Sequence, residues 1–99
     1  MKKVMVQFNI PGMTAKQYNQ CWDEMRNTGY ANPKGLLHHV SAQQGNNMVV
    51  VDVWESEEAF NKFGEVLMPI FVKVGVTPVK PVITPVIYEY SGAMASVAH

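Results

Sequence analysis

The stretch from Val49 to Phe63 constrains this chain more than any other. Val49, Val50, Val51 and Val53 surround a single Asp52, and the run ends on Trp54. β-Branched and aromatic side chains suit a pleated, buried surface, so the run predicts a strand. Ser56 then stands where a helix N-cap belongs, and Glu57 and Glu58 stand where the helix dipole favours negative charge. Phe60, Phe63 and Leu67 continue at helical spacing on one face. A buried strand therefore feeds an amphipathic helix with almost no connection between them.

The remaining elements follow from the same signals. Val4, Val6, Phe8 and Ile10 alternate with Met5, Gln7 and Asn9, the period of a strand, until Pro11-Gly12 breaks it. Thr14 and Gln17 form a capping box, with Met13 and Tyr18 spaced as its hydrophobic staple. Tyr18, Cys21, Trp22 and Met25 give the ensuing helix, Ala15 to Thr28, one apolar face, and Gly29 is placed to close it. A second strand runs from Leu36 to Gln43 and a third from Asn47 to Trp54. Gly45-Asn46 between them is a two-residue hairpin signal. Pro69 predicts a break in the second helix near Leu67-Met68, with a short piece from Pro69 to Val74 before Gly75. Val82 to Tyr90 reads as a last strand, which Pro85 confines to a sheet edge. Residues 1–90 form one domain, and residues 91–99 read as a loosely held tail.

The order is β-α-β-β-α-β. This is the ferredoxin-like α+β arrangement, a four-stranded antiparallel sheet with both helices on one face and the first and third strands at its centre. Two helices cover only one face. Reading Val49, Val51 and Val53 towards the helices, together with Val4, Val6, Phe8 and Ile10, leaves Met5, Leu37, Val50, Asp52 and Trp54 on the other face. That mixed, partly apolar surface is expected to meet a second copy of the chain. A chain of 99 residues buries a modest core, and association would help it.

Composition excludes several classes. Eight acidic residues balance eight basic ones with no basic stripe, so nucleic acid is not an expected partner. The lone Cys21 forms no internal disulfide, which suits a reducing cytoplasm. Met1-Lys2-Lys3 opens like an export signal, but Gln7 and Asn9 interrupt the apolar run, so it reads as the first strand. No apolar stretch reaches the ~20 residues of a membrane helix.

Val53-Trp54-Glu55-Ser56-Glu57-Glu58-Ala59-Phe60 resembles the strand-to-helix junction of antibiotic-biosynthesis-type monooxygenases and stress-responsive barrel proteins. Both groups lie in the superfamily of dimeric α+β barrels, and the resemblance covers nearly the whole chain. It implies two ferredoxin-like subunits packed sheet to sheet, with a ligand cavity between sheet and helices. It does not imply one reaction. Such barrels include cofactor-free monooxygenases, haem-degrading enzymes, lactone isomerases, polyketide cyclases and non-catalytic binding proteins, and fold does not choose among them.

Three residues are candidates for chemistry. With Gly45-Asn46 as the loop, the hairpin register pairs His39 with Asp52, Ser41 with Val50 and Leu37 with Trp54. A carboxylate beside an imidazole fixes its tautomer, as a general base requires; the same pair also serves as a plain cross-strand contact. His38 points to the other face, which the assignment above puts beneath the helices, so it is the histidine expected at the cavity. Tyr18, Trp22 and Phe8 are expected to line that cavity, or simply to fill the core. Cys21 has no basic neighbour and reads as an inert core thiol.

No cofactor or metal is expected. Haem-degrading relatives take an axial histidine and a pocket tryptophan from the second helix, and between Ser56 and Gly75 this chain has neither. Adjacent histidines on a strand diverge, so His38 and His39 do not chelate one ion together. No phosphate loop and no recognisable nucleophile triad is present. Two functions stay open: a cofactor-independent monooxygenase-like enzyme acting on a small aromatic or polyketide-like molecule, and a non-catalytic barrel that binds a small apolar ligand.

Overall fold

The computed structural model describes residues 2–90. Six elements follow in order: β1 (Val4–Pro11), α1 (Ala15–Asn27), β2 (Leu36–Gln44), β3 (Asn47–Trp54), α2 (Glu57–Lys73) and β4 (Val82–Pro85). They form a four-stranded antiparallel sheet in the order β2-β3-β1-β4, the ferredoxin-like fold.

The helix ends are made by the residues that predicted them. Thr14 Oγ1 accepts the Gln17 N–H at 3.1 Å, and the Gln17 side chain accepts the Thr14 N–H at 3.0 Å. Ser56 Oγ likewise accepts the Ala59 N–H at 3.1 Å. Both C-termini close as Schellman motifs. The Tyr30 N–H reaches the Met25 carbonyl at 2.7 Å past Gly29, and the Val76 N–H reaches Phe71 at 2.9 Å past Gly75. Each of these glycines takes the positive φ that the motif needs, 89° and 81°.

Two boundaries differ from expectation by more than one residue. α2 does not break at Pro69 but runs unbroken to Lys73 with the proline inside it. Pro69 and Glu65 lie on the exposed side, so the carbonyl that loses its partner faces water. Meanwhile Ile70 and Phe71 are buried in the core, and their packing carries the helix through the proline. The last strand ends at Pro85 instead of Tyr90. Beyond it the Val86 N–H still reaches Lys3, but the chain then leaves the edge of β1. The expected tail, residues 91–99, lies outside the described residues.

The largest correction concerns the faces of the sheet. Val4, Val6, Phe8 and Ile10 do point at the helices, but their partners on β3 are Trp54, Asp52, Val50 and Met48. Directly opposed residues share a face. Hence Trp54, Asp52, Val50 and Met48 are buried beneath the helices, while Val49, Val51 and Val53 line the open face with Met5, Val40 and Val82. The valine run is apolar in both phases, so its own pattern does not say which phase points inward. Bulk decides. Trp54 has no exposed surface and packs on Phe60 and Phe63, with ring centroids 5.7 and 5.1 Å away.

Candidate functional site

β2 and β3 pair His39 with Asp52 and Ser41 with Val50, the register expected from the hairpin. Gly45 takes a φ of 60° and no other residue of the turn is positive, which is the type II′ geometry with glycine first. Upstream the expected register slips. A bulge between Leu36 and His38 sets Leu36, not Leu37, opposite Trp54. Leu36 and His39 therefore share the inner face, and Leu37 is left on the outside, 42% exposed.

Because Asp52 points inward, so does its partner. His39, and not His38, is the histidine beneath the helices. Its Nδ1 lies 2.6 Å from Asp52 Oδ1, and its Nε2 lies 2.6 Å from the hydroxyl of Tyr18 on α1. Asp52 is 4% exposed, the one buried polar or charged side chain among the described residues, and its second oxygen accepts the Trp54 indole N–H at 3.2 Å. An ionised carboxylate only accepts, so the short contact from Asp52 places the imidazole proton on Nδ1. Nε2 is then free to accept the Tyr18 hydroxyl. Trp22, one turn on from Tyr18, presses edge-to-face on the imidazole with centroids 5.2 Å apart. The result is a directed chain, Tyr18 to His39 to Asp52, anchored at its inner end by Trp54.

His38 stands on the open face, against the expectation that placed it in the cavity. Its side chain is 49% exposed and its Nε2 lies 3.1 Å from Glu89 Oε2. Glu89 also accepts from the Lys3 ammonium, and that hydrogen bond, with the charges of Lys3 and His38, holds its carboxyl below the usual range. The segment after β4 thus crosses one end of the open face.

The Tyr18–His39–Asp52 chain forms part of the wall of a cavity between sheet and helices, about 50 Å³ in volume. Phe8, Tyr18 and Trp22, the expected pocket residues, all line it, and Leu36 and Phe63 add to the partly buried rim. Phe8, Ile10, Met13, Met25 and Phe71 close its interior. Sequence reasoning missed Met13 and Leu36 as lining residues, since each sits at the margin of an element. Cys21 reaches the same wall, but burial pushes its thiol up to about 11, so it remains protonated at neutral pH. No group of three His, Cys, Asp or Glu side chains that would hold a metal comes together among the described residues.

Known structures share this architecture. A dimeric ferredoxin-like protein from an uncultured marine organism superposes with a TM-score of 0.62 at 13% identity, covering 92% of this chain and 93% of that one. A Chloroflexus aurantiacus protein assigned as an antibiotic biosynthesis monooxygenase gives 0.62 at 11% identity, over 90% and 97%. SnoaB, a cofactor-independent oxygenase from Streptomyces nogalater, gives 0.59 at 12% identity, over 93% and 98%. The chain has the ferredoxin-like fold that the dimeric and monooxygenase-type proteins share. No protein-family model matches the chain, and no curated protein matches its sequence.

Proposed function

We propose that this protein is a cofactor-independent oxygenase that begins its reaction by removing a proton from a small aromatic or polyketide-like substrate. The observation that carries the reading is the Tyr18–His39–Asp52 chain on a cavity wall, in the fold of which SnoaB is an example. The substrate rests against Tyr18 and Trp22 at the rim and presents an acidified methylene. Its proton passes to the Tyr18 oxygen as the Tyr18 proton moves to His39 Nε2, and Asp52 stabilises the resulting imidazolium. The carbanion reduces dioxygen. One oxygen atom becomes the new carbonyl, and the other leaves as water with the two methylene hydrogens.

A suitable probe is an anthrone, whose ketone acidifies the central methylene. Wild type should consume one dioxygen per anthrone oxidised, and His39→Ala should slow turnover about 10²–10⁴-fold, the usual contribution of a positioned base. Equal rates in the two proteins would overturn the assignment. A non-catalytic apolar binder is the second reading, favoured by the smallness of the cavity; anthrone binding without dioxygen uptake would establish it.

The open sheet face is the proposed contact with a second copy. Val49, Val51 and Val53 form a central apolar column there, flanked by Val40 and Val82, each more than 60% exposed. The described residues include no helix long and apolar enough to cross a membrane, and a protonated, unpaired Cys21 fits the cytoplasm as the place of work.

A further inference from the structure

The cavity beside the relay is too small for the substrate proposed above, and it is badly suited to water. An apolar cavity of roughly 150 Å³ stays dry and admits benzene or xenon. This one, at about 50 Å³, excludes an aromatic ring. Water would fit by volume but needs two to four polar partners. Here the polar hydrogens of the Tyr18–His39–Asp52 chain, and of the Trp54 indole behind it, are already committed. Tyr18 O–H donates to His39, His39 Nδ1–H donates to Asp52, and Trp54 N–H donates to the other oxygen of Asp52. No buried side-chain nitrogen or oxygen among the described residues lacks a partner. The interior of the cavity otherwise presents carbon and sulfur, from Phe8, Ile10, Met13, Cys21, Met25 and Phe71 among others.

We infer that this cavity is a binding site for a small apolar gas, dioxygen, held beside the Tyr18–His39 pair. Its catalytic meaning rests on the oxygenase reading, but its occupancy does not. In that setting the oxidant waits on the inner side of the relay while the aromatic substrate docks at the rim. The carbanion then forms within reach of dioxygen and away from bulk water.

Dioxygen is paramagnetic, so it speeds the nuclear relaxation of any methyl group it visits. Under dioxygen pressure the buried Met13 and Met25 methyls should relax several-fold faster than the Met68 methyl, which lies on the surface at 44% exposure. Met13 and Met25 relaxing no faster than Met68 would refute the site, as would nuclear Overhauser cross-peaks from a bound water to either buried methyl. Cys21→Leu should fill the cavity and remove the excess. If that variant does not fold, the wild-type measurement alone decides. Asp52→Asn, nearly isosteric, should keep the gas-induced relaxation while losing anthrone oxidation. Retained relaxation without any turnover in wild type would sink the enzyme reading and leave the gas site standing. Turnover with no relaxation excess would do the reverse.

Discussion

His38 and His39 are neighbours in the chain and opposites in the fold. His39 spends both ring nitrogens on short hydrogen bonds to Tyr18 and Asp52, beneath two helices. His38, half exposed on the open face, pairs with Glu89 from a segment that crosses the sheet end. The same contrast repeats on β3, where Val50 is buried in the core and Val51 lies on the open face. A strand separates its two faces completely, so one residue of displacement turns an inward-facing histidine with both ring nitrogens hydrogen-bonded into a half-exposed side chain. Beneath the helices polar groups are few, buried and mutually satisfied, and the proposed chemistry is placed there. On the open face apolar groups are left uncovered, and the proposed contact with a second copy is placed there.

The strongest way to break this contrast is to charge each face in turn. Val50→Lys buries an unpaired ammonium beneath the helices and should leave the protein unfolded, since a lone buried charge costs more than a small domain can lose. Val51→Lys should keep a native circular dichroism spectrum and elute at monomer mass, and wild type should elute at twice that mass. Identical behaviour of the two variants would mean that the faces are not as distinct as described.

Next in size is the inner end of the relay. Asp52→Ala leaves the Trp54 indole N–H and the His39 Nδ1–H buried without an acceptor, and chemical denaturation should show a loss of about 3 kcal/mol. His38→Ala should stay within about 0.5 kcal/mol of wild type, as surface substitutions do. Comparable losses from the two would erase the distinction between the histidines.

Gly35→Ala sharpens the contrast by testing the entry to β2. Gly35 has a φ of 92°, a Cβ there would stand 2.7 Å from the Ala59 Cβ, and its carbonyl accepts the Glu55 N–H at 2.9 Å. Both backbone strain and overlap oppose a side chain, for a cost of about 1–3 kcal/mol. Since Gly35 immediately precedes the bulge that turns Leu36 and His39 inward, the His39 ring resonances should shift as well. A neutral substitution would show that this close approach does not set the hairpin.

The smallest effect belongs to Glu89. Its carboxyl is held low chiefly by the hydrogen bond from Lys3, so it ionises more readily in the folded chain than in the unfolded one. The resulting stability is present above the ordinary carboxylate range and fades as pH falls through the lowered folded value. Glu89→Gln should flatten the acid limb of stability slightly and leave stability at pH 7 nearly unchanged, because exposed pairs contribute little. A large loss at neutral pH would give the outer cluster a weight that its exposure does not support.

What the sequence determined by itself is local. Thr14 with Gln17, Ser56, Gly29, Gly45 and Gly75 each act through backbone groups a few residues away, so helix ends and hairpin register were legible without the fold. The His39–Asp52 pairing was legible for the same reason, since a two-residue loop counts outward to it. The relay as a whole was not, because Tyr18 comes from a helix more than twenty residues away and only packing brings its hydroxyl to Nε2. Pro69 broke a local rule and long-range burial of Ile70 and Phe71 overrode it. Above all, the choice between the two faces of β3 belonged to the tertiary structure. Val49 to Val53 is apolar in both phases, and it took the pairing with β1 and the bulk of Trp54 to turn Asp52 and His39 inward.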